Sequence, residues 1–359
     1  MLGIDARTAR IGWTLFLLAV VILAAWAIRE TLIVFAVALF VAYMLMPLVN
    51  LVDRYTPKKL PRTVSLAIVY LALLGALVAI GIEVGSRITD EATALAKQLP
   101  GQAQTKVVGG PAKYHWPEVL EPVRERVSTW LQEQYNSGGK DLLPYLEKAG
   151  MHVFSGVKYA LYAVLVPILA FFFLKDGQEI KENFVAGLTA GAERTTLENI
   201  LSDIDTLLGH YIRALVLLSL SSFAAFSLFL GITGAPYALL LGGVAAVFEF
   251  IPVIGPVGAG LILLVVTAVT GYTHVLWLVI FWGCFRLFQD YVLSPNLMGS
   301  GVELNPMLVL FGVLAGEQIG GVAGMFFSVP VIATLRVVYV RLARVRRRKE
   351  YAPTHVVEG

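Results

Sequence analysis

Residues 11–28 contain no charged side chain, residues 31–52 contain none either, and only Arg29 and Glu30 separate the two runs. A stretch of about 20 apolar residues matches the roughly 30 Å hydrocarbon core of a bilayer, since a helix rises about 1.5 Å per residue. Lipid offers no hydrogen-bond partner to an open backbone, so such runs have to be helical. Charged residues make up only 15% of the chain and hydrophobic residues 57%, against about 25% charged in an ordinary soluble domain. With a mean hydropathy of +0.75, a soluble globular fold is excluded, and the 359 residues count membrane segments rather than domains.

The fold class expected is an all-α polytopic membrane protein with about seven to nine membrane segments, two of them hairpins broken by proline and glycine, together with amphipathic surface helices. Residues 1–82 supply the first three spans. The first two read as a helical hairpin with a tight turn at Arg29-Glu30, and the third covers residues 63–82. Arg7 and Arg10 before the apolar run and Ala25-Trp26-Ala27 after it also fit a signal peptide, but apolar sequence returns at once at Thr31, which favours a retained helix. Arg54, Lys58, Lys59 and Arg62 place the following turn, and with it the N-terminus, on the cytoplasmic side.

Residues 83–151 turn polar and are expected to form an extracytoplasmic, amphipathic-helical insert. Breaks are predicted at Pro100-Gly101 and Gly109-Gly110-Pro111, and Val119, Val123, Val127, Trp130 and Leu131 recur at helical spacing behind Pro117. Residues 152–235 hold two more spans. The first, 153–174, is weakened at Pro167 and ended by Lys175-Asp176-Gly177, and the second is 211–232. Between them, residues 176–208 read as a cytoplasmic amphipathic helix, with Ile180, Phe184, Leu197, Ile200, Leu201, Ile204 and Leu208 on one face and Glu179, Glu182, Glu198 and Asp205 opposite as a solvated face.

Residues 236–340 differ in kind. The apolar run 237–250 is broken by Pro252, Gly255 and Pro256 before it resumes at 261–270; residues 274–293 form a full-length span; and 306–339 repeat the broken design around Ala315-Gly316-Glu317-Gln318-Ile319-Gly320-Gly321. Backbone groups freed by such breaks persist only against protein or a water-filled cavity, and paired breaks point to a transporter site. Tight turns between ordinary helices are the competing reading. Residues 341–359 form a basic tail, with Arg341, Arg344, Arg346, Arg347, Arg348 and Lys349 marking a cytoplasmic C-terminus; nucleic acid is the weaker reading of these charges, and no nucleic-acid partner is expected.

Charges inside the broken region sharpen the reading, because one charge at mid-bilayer costs at least ~2.5 kcal/mol. Arg286 and Asp290 are four apart and can pair on one helix face, with Gln289 beside them. Glu249 and Glu317 have no such local partner and each stands at a break, so both are candidate proton or cation ligands, the alternative being placement at a helix end. Soluble-enzyme motifs are absent from the sequence: no Walker A, no His-Glu-x-x-His and no Gly-x-Ser-x-Gly. The five histidines, 115, 152, 210, 274 and 355, are scattered, and the single Cys284 rules out an intrachain disulfide. Ser300 between two glycines reads as loop rather than nucleophile. No enzyme, metal or cofactor is expected.

Several segments taken together carry a family resemblance: Phe250-Ile251-Pro252-Val253-Ile254-Gly255-Pro256; Asp290 through Ser294-Pro295-Asn296 to Gly299; Leu304-Asn305-Pro306; and Gly320-Gly321-Val322-Ala323-Gly324 leading to Pro330. The chain resembles the autoinducer-2 exporter (AI-2E) family, also called PerM-like permeases, over nearly its whole length, with Glu317 and Asn305 departing from the usual pattern. The resemblance implies a secondary transporter or exporter of the bacterial inner membrane, moving a small polar solute such as a signalling molecule, or coupled to Na⁺ or H⁺, and a homo-oligomer, a pentamer among the options. The candidate substrate or ion site comprises Glu249, Pro252, Gly255, Pro256, Arg286, Gln289, Asp290, Asn296, Asn305, Glu317 and Gln318. The competing class is a non-transporting membrane scaffold that recruits partners through residues 83–151 and the amphipathic stretch.

Overall fold

The computed structural model describes residues 6–53, 62–105, 157–188, 192–298 and 304–350. These are helical with no strand among them: α1 (Ala6–Ala27), α2 (Arg29–Asp53), α3 (Arg62–Thr105), α4 (Val157–Leu188), α5 (Ala192–Ile232), α6 (Ala238–Phe248), α7 (Ile254–Val269), α8 (Val275–Phe288), a π-helical turn (Gln289–Leu293), α9 (Ser294–Met298) and α10 (Pro306–Glu350). Six helices are long and apolar enough to cross a membrane, and three shorter apolar ones accompany them. This is an all-α polytopic membrane protein. The helical spacing at 119–131, the basic residues Arg54, Lys58 and Lys59, the break at Gly109-Gly110-Pro111, Ser300 and the tail beyond Glu350 lie outside the described residues.

Three expectations are corrected. First, α1 does not fold back along α2: the helical hydrogen bonds run through the junction, Ile28 N–H to Ala24 O and Leu32 N–H to Ile28 O, both at 3.0 Å. Neither glycine nor proline stands there to turn the chain, and two charges alone do not break a helix. Trp13, Phe16, Leu23 and Trp26 are all exposed, as suits side chains that face lipid. Second, Lys175-Asp176-Gly177 does not end the fourth span, and residues 176–208 are not a separate surface helix. Residues 176–188 are the polar second half of α4 and residues 192–208 the polar first part of α5, each continuing its span as one helix, so that Ile180 and Phe184 are exposed while Val185 and Ile200 are buried. Third, α3 runs unbroken through Pro100-Gly101 to Thr105, where water can satisfy the carbonyl that proline releases.

The last third folds as two hairpins against α5. Hairpin 1 is α6 and α7, antiparallel around residues 249–253; its open end sits at the C-terminal end of α5, where Tyr272 Oη donates to Thr233 Oγ1. Phe226, Leu230, Leu241, Ala245, Leu263 and Leu278 form the apolar centre there, with Phe226 edge-on to Phe281 and Phe285 at 5.4 Å each.

Hairpin 2 is α10 itself. Gly320 (φ −137°, ψ 17°) and Gly321 (φ 58°, ψ −139°) are non-helical, and a methyl on Gly316 would clash with the carbonyl of Gly324, and the reverse. In a straight helix, residues eight apart are separated by about 12 Å, so the chain doubles back. Its base lies at the N-terminal end of α5, where Arg341 pairs with Asp203 and where Val309, Val313 and Val329 bury Tyr211, Ile212 and Leu215. The hairpins therefore enter the bundle from opposite ends.

Candidate functional site

Glu249 ends α6, and its side chain is only 10% exposed. The sequence reading gave it no local partner, and its partners indeed come from other helices. Ser222 Oγ of α5 donates to Glu249 Oε2 at 3.1 Å, and Gln289 Nε2 donates to Ser222 Oγ at 2.9 Å. Arg286 Nη1 lies 3.5 Å from Glu249 Oε1. The same guanidinium grips Asp290 with two nitrogens, Nε at 2.9 Å and Nη2 at 2.7 Å. Arg286 is thus held bidentately by its i+4 neighbour and only touches Glu249. Counted as ions, Glu249, Arg286 and Asp290 sum to one negative charge.

The backbone explains how these groups converge. α6 stops because residues 249–253 cannot continue it: Val253 has φ 66° and ψ −56°, and Ile254 N–H donates to Pro252 O at 2.7 Å. That is a γ-turn with a β-branched residue at its centre, a strained conformation. Gly255 follows, buried so tightly under Phe248 that a methyl group would clash with the Phe248 carbonyl. In α9, just after α8, Pro295 lacks an N–H and crowds the carbonyl four residues back, and the chain answers with the π-helical turn Gln289–Leu293. Widened turns of this kind re-aim side chains. Here Gln289 is 2% exposed and points into the bundle, whereas Asp290 stays at its edge, 44% exposed.

A crevice joins Glu249, Arg286, Gln289 and Ser222 to Pro256 and Trp282, with free space of about 10 Å³, enough for about one water-sized species. Of the expected site residues, the structure gathers Glu249, Pro256, Arg286 and Gln289 around it, with Asp290 attached through Arg286 and Pro252 and Gly255 forming the turn. Asn296 is exposed. Asn305 caps the start of hairpin 2, its Oδ1 accepting the Met307 N–H at 2.9 Å. Glu317 and Gln318 are exposed and do not line the crevice. The two breaks do not share it: what joins the hairpins is an aromatic contact, Phe250 to Phe326 at 5.5 Å and Phe40 against both.

Ser222 and Trp282 escaped the sequence reading. The signal for Ser222 was a serine cluster, Ser219, Ser221 and Ser222, inside an apolar span, since hydroxyls there usually bridge helices; Ser219 does so too, donating to Ala246 O at 2.8 Å. No group of three or more potential metal ligands occurs among the described residues.

Comparison with known proteins agrees with the fold. The chain is 27% identical over 362 residues to YueF of Bacillus subtilis, covering 94% of this chain and 95% of that one. It is 27% identical over 334 residues to YrrI of the same organism, covering 89% of each. A protein of Methanothermobacter thermautotrophicus is 34% identical over 159 residues, 43% of this chain and 46% of its own. All three are provisionally named transport proteins. The family model described as AI-2E family transporter matches residues 15–344, and the chain therefore belongs to the AI-2E transporter family.

Proposed function

We propose that this protein is a secondary transporter in which Glu249 binds the coupling proton or monovalent cation, and in which the small polar solute passes once hairpin 1 opens. The observation that carries this reading is the charge balance at the hairpin tip. Glu249 is buried, Arg286 is already claimed by Asp290, and the cluster is left with one negative charge. Measured from Ser222 to the end of α5 at Ile232, the cluster lies roughly 15 Å deep, about half the hydrocarbon core. A lone charge at that depth is expensive, so a proton or small cation has to accompany it. Room for one water-sized species suits such an ion, and a larger solute requires the hairpin to move.

The family resemblance and the charge pattern of the sequence suggest the rest of the assignment. Energy comes from an ion gradient, since the sequence carries no nucleotide-binding motif. The membrane is the bacterial inner membrane, with the basic C-terminal tail on the cytoplasmic side, and the unit is a homo-oligomer. The test is a proteoliposome assay with an internal pH dye, under imposed Na⁺ or K⁺ gradients. Glu249→Gln keeps the shape, leaves Arg286 and Asp290 a neutral pair and removes the titrating group, so coupled proton movement should fall at least about ten-fold. Unchanged coupling in that variant would remove Glu249 from the mechanism.

A further inference from the structure

Helix α6 begins without a cap of its own. Its N-cap residue Tyr237 is left-handed (φ 61°, ψ 38°) and its side chain does not cap the helix, yet the first amides of a helix need acceptors, most of all where water is scarce. The acceptor comes from far away in sequence: Glu91 Oε2 of α3 takes the Leu240 N–H at 2.7 Å. A carboxylate on a helix N-terminus gains both the hydrogen bond and the favourable end of the helix dipole. Just below, Ile88 packs on Gly243, where a methyl group would sit 3.1 Å from its Cδ1. The outer part of α3 thus lies along the mouth of hairpin 1 and holds it through the Glu91 carboxylate.

We infer that Glu91 is a positioning residue, a latch that keeps hairpin 1 closed over the Glu249 crevice. α6 has only 11 residues, too few to be stable as an isolated helix, and it ends directly on Glu249. At 11 residues it is about 16 Å long, so a shift at its start is carried to its tip. Releasing its start shifts its tip relative to Ser222 and Arg286, which belong to other helices. Beyond Glu91, α3 continues to Thr105, about 21 Å further, so a displacement of its outer end reaches the same contact. The inference rests on the proposed function only in taking the crevice as the site being opened.

The experiment reads access rather than transport. In full-length protein in lipid nanodiscs, with Cys284→Ser, the crevice is probed by Ala259→Cys, a buried lining position at 4% exposure, and a charged membrane-impermeant thiol reagent. Glu91→Ala should speed modification about ten-fold, the factor that goes with losing one charge-assisted hydrogen bond. Glu91→Gln, whose amide oxygen still accepts the Leu240 N–H, should give a smaller increase. A parallel Ala170→Cys probe in α4, fully buried and outside the crevice lining, should not change. An unchanged rate at Ala259→Cys in Glu91→Ala overturns the latch. So does an equal acceleration at Ala170→Cys, which means general loosening. Failure of coupling to depend on Glu249, with the latch intact by this labelling, overturns the proposed function instead.

Discussion

Hairpin 1 turns over five irregular residues and keeps a carboxylate at its tip, whereas hairpin 2 turns on two glycines and packs backbone on backbone. Hairpin 1 is held by side chains from three other helices, namely Glu91, Ser222 and Arg286. Hairpin 2 closes on itself through Gly316 and Gly324 and lays its valines on α5. In a bilayer, where burial against lipid gives little drive, close small-residue contacts stabilise and inter-helix polar contacts specify. Two breaks with similar sequence punctuation thus build different structures: one sets a buried carboxylate at its tip among partners from other helices, and the other brings its two arms into backbone contact.

The largest expected effects break both hairpins. Gly316→Ala places a methyl against the Gly324 carbonyl and Gly255→Ala one against the Phe248 carbonyl. Neither backbone neighbour can swing away, so each should cost about 3 kcal/mol or more, read as loss of monodisperse protein in size-exclusion chromatography. Normal recovery of Gly316→Ala would mean that hairpin 2 is not held by its own backbone.

Next comes the difference in chemistry. Glu249→Gln should abolish ion-coupled flux while leaving the thermal midpoint near that of the parent, because the neutral Arg286–Asp290 pair remains. Ser222→Ala should weaken coupling several-fold, in line with about 1 kcal/mol for one hydrogen bond. A flux assay in which Ser222→Ala behaves as the parent would mean that Glu249 does not depend on α5.

A smaller contrast lies in the turns themselves. Val253→Gly relieves a left-handed valine and should raise stability by about 1 kcal/mol. Gly321→Ala, at φ 58°, should lower it by a similar amount. Thermal midpoints moving in the same direction would refute the difference between the turns. The smallest effect is expected at Glu317, exposed and outside the crevice: Glu317→Gln should leave flux within about two-fold, close to the limit of ordinary surface changes.

Much of this was legible in the residues. Uncharged runs such as 31–52 demand helices, Pro252-Gly255-Pro256 and Gly320-Gly321 mark where helices break, and the spacing of Arg286 and Asp290 foretells their pairing. Glu249 and Glu317 looked alike, since each is an acid beside a break. Only one meets a serine 27 residues away and an arginine on another helix. Periodicity also misjudged the polar stretch 176–208, because charges on a helix face do not tell an independent surface helix from the continuation of a span.

The sequence by itself determined membrane residence, helical class, the position of both breaks and the family, because lipid forbids unsatisfied backbone and only proline and glycine puncture long helices. The tertiary structure decided which acid is buried, that Gln289 turns inward through a π-helical turn, that α1 leaves the bundle, and that Glu91 caps a helix 149 residues later. Those outcomes depend on which helices lie side by side, and side-by-side placement of distant segments leaves no local pattern to read.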